Sequence, residues 1–281
     1  MQLAPSHPSA QAFFLDAAPG KRFCLYHPPH GTPRGAVLHV PAHAEEMNKS
    51  RRMVAQQARR LAASGLAVLQ IDLYGCGDSD GQSGDAHWEI WKQDLMLALT
   101  WLRDRSNTPV ALWGLRLGGL LALDVAQERG DLASVLLWQP VIDGPAYLTQ
   151  FLRLRLAADM LASGQGGQGG TDALRRLLAD GVSLDIAGYT MTPALAAAID
   201  HAMPDVIAPP TCAVHWLEVA PAGRGLAPAR AAAQERWLRA GWRLHTQLVP
   251  GPAFWASQEI AEAPALLDAT VALLSPEAAW A

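Results

Sequence analysis

The chain has 281 residues, 50% of them hydrophobic and 17% charged, with a formal net charge of −4 at pH 7. That balance fits a globular protein with a sizeable core, and the lack of a basic excess excludes nucleic acid as an expected partner. Three cysteines, Cys24, Cys76 and Cys212, show neither C-x-x-C spacing nor a disulfide framework, and the N-terminus has no charged segment leading into an apolar one. The expectation is a reducing, cytoplasmic setting, with no signal peptide and no transmembrane segment. Ten tryptophans read as core and pocket filling, where their large apolar area contributes most.

Residues 22–29, RFCLYHPP, alternate in polarity and then meet prolines, as an early antiparallel strand does. GAVLHVPA at 35–42 reads as a buried strand. A helix is predicted over 50–65, with Ser50 as its cap, Gly65 at its end, and Met53, Ala58 and Leu61 on one face. Strand 67–73 runs into the turn YGCGDSDG, and Trp88, Trp91, Leu95, Leu99 and Leu102 recur at helical spacing within 87–105. Strand 109–115 turns directly into the helix LGGLLALDVAQER, and 134–141 is the next strand. Residues 143–208 read as a helical insertion without strands, interrupted by the glycine tract SGQGGQGG at 163–170. Alternation resumes with strand 212–219, a helix near 228–240, strand 243–250 and a last helix over 257–274. This order predicts an α/β core, 1–142 and 209–281, with a mostly parallel sheet flanked by helices. The 143–208 insertion would cap the C-terminal ends of the strands, where such sheets bind ligands.

Between strand 109–115 and its helix stands Gly114-Leu115-Arg116-Leu117-Gly118. It is G-x-S-x-G, the turn that carries the nucleophile in α/β-hydrolases, with arginine in place of serine. DLYGCGDSDG, from Asp72 to Gly81, looks like the D-x-x-G-x-G-x-S stretch after the fourth strand of that superfamily. HVPAHAEEMNKSRR lies where its members have the loop that supplies an oxyanion-hole amide. Nearly the whole chain therefore resembles the α/β-hydrolase superfamily, which implies that fold with a lid after the sixth strand. More narrowly, AEEMNKSRRM, QIDLYGCGDS, LWGLRLG, TQFLRLRLAA, AGYTMTPALAAAID and FWASQEIAEAPALL together resemble one family. It is the second hydrolase-like family associated with the exosortase A system, which accompanies exopolysaccharide biosynthesis and the sorting of PEP-CTERM proteins. The resemblance implies an arginine at the elbow and a partnership with that machinery; it supplies no reaction.

Serine hydrolysis needs a nucleophile, a base, an acid that orients the base, and oxyanion donors. Arg116 stands at the nucleophile position, and guanidinium, protonated and without a free lone pair, cannot form an acyl-enzyme. Phe254 falls where the base is expected after the last strand. Glu218 and Asp143 are the candidate acids, and His43 is the histidine that follows a strand end near the elbow. The Leu117 N–H, at a helix start, remains as an oxyanion or anion donor. Arg116 is expected either to pair internally, with Glu218, Asp143, Glu45 or Glu46, or to grip a small acyl or anionic ligand, assisted by Arg153 and Arg155. Three readings stay open. One is a degenerate hydrolase acting as a binding or accessory protein. Another is an ester or thioester hydrolase working unconventionally through Arg116, His43, Glu45 and Glu218. The third is an interaction module whose pocket is filled by Trp113, Phe254 and Trp255. Gly75-Cys76-Gly77-Asp78 lacks the lysine of a phosphate loop, Cys76 reads as a turn residue, and no metal-ligand spacing occurs, so neither metal nor cofactor is expected.

Overall fold

The apolar runs become strands of one eight-stranded sheet in a computed structural model that describes residues 9–163, 169–204, 208–275 and 280. Across the sheet they are β1 (Gln11–Asp16), β2 (Lys21–His27), β4 (Leu66–Ile71), β3 (Gly35–Val40), β5 (Val110–Leu115), β6 (Leu132–Trp138), β9 (Ala213–Ala220) and β10 (Leu244–Pro250). β2 pairs antiparallel with β1 and β4; every later pairing is parallel. β3 and β5 are buried along their whole length, as strands covered on both faces must be. One face packs on α2 (Trp88–Ser106), α3 (Leu117–Glu128) and α7 (Pro228–Arg239), through Leu95, Leu99, Leu121 and Trp237. The other packs on α1 (Glu45–Ala63) and α8 (Pro264–Leu274), through Met53, Leu61, Trp113, Trp138 and Leu267.

After β3 the chain moves to one side to form β4, then returns to the other side to form β5. That reversal opens a crevice at the strand ends. The loop after β3 and the turn after β5 stand on its two sides.

Several expectations need correction. α1 begins at Glu45, five residues before the expected cap Ser50, whose Oγ instead donates to the Glu46 carbonyl from inside the helix (2.6 Å). Glu45 and Glu46 occupy the first turn, where the helix dipole favours carboxylates. α8 starts at Pro264 rather than 257, with proline near the start of the helix. β1, pairing with the predicted early strand, was not singled out by periodicity. The stretch between β6 and β9 is not strand-free. Besides α4 (Gly144–Ser163), α5 (Gly170–Ala179) and α6 (Pro193–His201), it holds a hairpin of β7 (Leu184–Ile186) and β8 (Tyr189–Met191). Ala187 and Gly188 join them at φ 54° and 85°, the positive pair a tight hairpin turn requires. Three-residue strands are too short to show a period. Part of the expected glycine tract, 164–168, lies outside the described residues. Among the described residues, no helix is long and apolar enough to cross a membrane.

Candidate functional site

Arg116 alone makes the turn between β5 and α3, at φ 54°, ψ −119°. For an L-residue such a backbone costs about 1–3 kcal/mol, and its neighbours hold it there. Arg116 N donates to the Trp138 carbonyl (3.1 Å), and its own carbonyl accepts from Gly119 N (3.0 Å) and Val141 N (3.1 Å). The glycines permit the closeness: a Cβ on Gly118 would stand 2.2 Å from the Pro41 carbonyl oxygen, and one on Gly114 2.7 Å from that of Gly118. Backbone hydrogen bonds and close backbone packing thus hold the shape of a nucleophile turn.

The Arg116 side chain is buried, with Nε donating to Glu46 Oε1 at 3.0 Å and Nη1 to the Gln139 carbonyl at 3.3 Å. Its guanidinium carbon lies 5.4 Å from the centre of the Trp255 ring, within cation–π range. Among the carboxylates weighed as partners, Glu46 is the one that pairs. Its neighbour Glu45 does not join the pocket: exposed, it accepts from the Tyr189 hydroxyl (2.8 Å) and Asn48 (3.3 Å). Consecutive helical residues point about 100° apart, so only one of the two can face the elbow. Burial pushes the Glu46 carboxyl's pKa up, against the opposing pull of Arg116, and its Oε2 is buried without a partner.

His43 reaches the elbow's other flank. Its Nδ1 lies 3.1 Å from the Tyr147 hydroxyl and its ring packs on Phe151 and Trp91. Burial lowers its pKa to about 4, so the imidazole is neutral at pH 7. Between His43, Trp91, Leu117 and Cys76 a cavity of about 10 Å³ remains, at the threshold of about 10–15 Å³ for a single water. Burial pushes the Cys76 thiol up to about 12, which keeps it protonated.

The remaining positions are occupied otherwise than serine chemistry needs. Glu218 is buried; it accepts from Gln139 Nε2 (2.8 Å) and Trp216 Nε1 (2.8 Å) and pairs with Arg230 Nε (3.2 Å), not with Arg116. Burial raises its pKa, with Arg230 opposing. Phe254, 1% exposed, meets Trp138 and Trp255 edge-on, at 6.1 and 5.0 Å between ring centres. Asp143 caps α4, accepting from Ala146 N at 2.7 Å. Arg153 and Arg155 are not brought to Arg116: Arg153 is exposed, and Arg155 is bound to Asp159 and the Asp185 carbonyl. Beside Arg116 a cleft of about 360 Å³ opens towards Tyr147, Gln150, Arg230 and Arg236. Sequence reasoning did not find Tyr147, Gln139 or Arg230. A tyrosine one turn into the helix after Asp143 was the available signal for the first; the other two become neighbours only through the sheet order.

A mostly parallel eight-stranded sheet, a strand–turn–helix elbow at its C-terminal edge and an insertion after β6 define an α/β-hydrolase fold. The family model for serine aminopeptidase, S33, matches residues 31–173, just over half of the chain, and the chain belongs to that family. Among solved structures, it is similar to Est1E from Butyrivibrio proteoclasticus with ferulic acid bound: 17% identity, TM-score 0.65, covering 92% of this chain and 96% of that one. It is also similar to a thermostable carboxyl esterase from Bacillus coagulans (15%, TM-score 0.59, 87% and 91% covered). An α/β serine hydrolase homologue from Coxiella burnetii is similar as well (12%, TM-score 0.58, 94% and 97% covered). At these identities the likenesses speak for the fold alone. No curated protein sequence matches the chain.

Proposed function

We propose that this chain is a degenerate hydrolase: a hydrolase-fold protein in which a binding or accessory role has replaced ester cleavage. The observation that carries the reading is the double replacement. Arg116, paired to Glu46, fills the nucleophile's place, and Phe254, packed between tryptophans, fills the base's place. A guanidinium offers no lone pair for attack, and a phenyl ring takes no proton; serine-type catalysis needs both functions. The groups an unconventional hydrolase would call on are engaged elsewhere, His43 with Tyr147 and Glu218 with Arg230. The resemblance of the elbow, cap and C-terminal motifs to the exosortase A-associated family supports a role beside exosortase, in exopolysaccharide export or protein sorting. In this role the insertion serves as a lid over a small acyl or anionic ligand, on the cytoplasmic side. The test is turnover of p-nitrophenyl butyrate and an acyl-thioester panel by purified protein. None above buffer is expected; robust turnover that disappears in Arg116→Ala overturns the reading.

A further inference from the structure

The elbow has a closed side and an open one. Around Leu117 and His43 the space is about 10 Å³, whereas on the Arg116 side the cleft measures about 360 Å³. That is within the range of small-molecule sites, about 300–1,000 Å³. Its two walls are helix faces: Ala146, Tyr147 and Gln150 on α4, and Ala229, Ala232 and Arg236 on α7. Both sets follow three- and four-residue helical spacing. The alanines leave the width; Ile142 and Met203 add apolar surface.

Two guanidinium groups line this space with donors left over. Arg116 commits Nε to Glu46 and Nη1 to the Gln139 carbonyl; Arg230 commits Nε to Glu218 and Nη1 to the Pro140 carbonyl. Neither Nη2 has a partner among the described residues. The carboxylates that balance them, Glu46 and Glu218, do not line the cleft, and Asp143, which does, is engaged with the Ala146 N–H. The Arg116 charge is felt at Arg230: burial lowers the Arg230 pKa, Glu218 opposes that, and Arg116 lowers it further. An anion held between them would relieve that repulsion, and a planar two-oxygen head suits guanidinium donors.

We propose that the cleft between α4 and α7 binds a carboxylate-bearing small organic molecule. Its carboxylate sits against the Nη2 groups of Arg116 and Arg230, and its apolar part lies along Ile142, Met203 and the alanines. This rests on the reading of the elbow as a binding site. The test is titration calorimetry of the full chain with butyrate, octanoate and hydrocinnamate, and with hydrocinnamide as the uncharged counterpart. At least one acid is expected to bind, and hydrocinnamide at least about tenfold more weakly than hydrocinnamate. Ala232→Trp, which fills the cleft from an exposed helix position, should reduce acid binding about tenfold or more without moving the urea midpoint. Ala146→Trp repeats the test from the opposite wall should the first variant fold poorly. No heat with any acid, equal binding of acid and amide, or wild-type affinity in a folded tryptophan variant overturns the proposal. Turnover of the methyl ester of hydrocinnamate would instead overturn the non-catalytic reading, whatever the binding result, so the two failures are separable.

Discussion

The turn after β5 and the loop after β10 stand at the same edge of one sheet, and they are held in different ways. The turn has the shape of a nucleophile elbow with an arginine at its apex: Arg116 sits at positive φ, and Gly118 lies under Pro41. The loop presents no base where one is expected: Phe254 is packed into the core between Trp138 and Trp255. The difference teaches that the elbow is held by backbone contacts, which do not depend on the side chain at its apex. The loop after β10 has no such turn, and Phe254 in it is held by core packing instead.

The largest expected effect tests whether Phe254 is now core. Phe254→Ala should cost about 3–5 kcal/mol, as truncation of a fully buried aromatic does, read as a fall in the urea midpoint. The double variant Arg116→Ser, Phe254→His places a serine and a histidine at the two positions. It should show no esterase turnover, because Glu218 remains tied to Arg230, Gln139 and Trp216. Turnover by that variant would mean that the loop still holds its catalytic geometry, and the contrast would fail.

Next in size is the ion pair at the elbow. Glu46→Ala leaves a buried guanidinium with the Gln139 carbonyl and the Trp255 face, and should cost about 3 kcal/mol, the lower end for breaking such a pair. The lower end applies because the Glu46 side chain keeps 21% exposure. Replacing both partners, Glu46→Leu with Arg116→Met, should return stability to within about 1 kcal/mol of wild type. A pair made for ligand binding rather than for stability would show the same cycle and, in addition, lose acid binding in the double variant.

What was legible in the sequence follows from the range of the interactions. Strands β3 to β6, α2 and the elbow are local patterns: apolar runs, helical spacing and two glycines flanking one residue. The partner of Arg116 was narrowed to four carboxylates but not chosen, because the choice depends on where α1 begins. Ser50 looks like a cap by composition, yet the helix starts at Glu45 and turns Glu46 inward. Arg230 was not legible, since α7 meets the elbow only once β9 lies beside β6. The β7–β8 hairpin was missed because three-residue strands carry no period.

A smaller effect comes from two histidines held away from water, His43 beside the elbow and His27 at the end of β2. Burial lowers the pKa of His43 and His27 to about 4, from an ordinary 6.5. The unfolded chain therefore takes up their protons first. Stability present above pH 6.5 is lost as pH falls from there towards about 4, by up to about 1.4 kcal/mol per pH unit for each histidine. His43→Gln, which keeps a polar group for Tyr147, should flatten the acid limb of urea midpoint against pH by one histidine's share. An unchanged slope would mean that His43 is hydrated and ordinary, and that the elbow's closed side is open in solution.

The smallest effect tests how the insertion is attached beside the elbow. The Tyr189 hydroxyl donates to Glu45 and accepts from Asn48, both at 2.8 Å, and Thr190 N donates to Ser83 Oγ at 3.0 Å. The Tyr189 bonds fasten the β7–β8 hairpin to the first turn of α1, the same turn that supplies Glu46, and the Thr190 bond fastens it to the loop after β4. Because Glu45 is exposed and Tyr189 only half-buried, Tyr189→Phe, which keeps the ring, should cost only about 0.5–1 kcal/mol of global stability. Its local effect should be larger than its global one: faster amide hydrogen exchange across 184–191, with α3 protection unchanged. Equal loosening of α3 would show that the turn at Arg116 depends on the insertion after all, and that backbone packing from the core alone does not hold it.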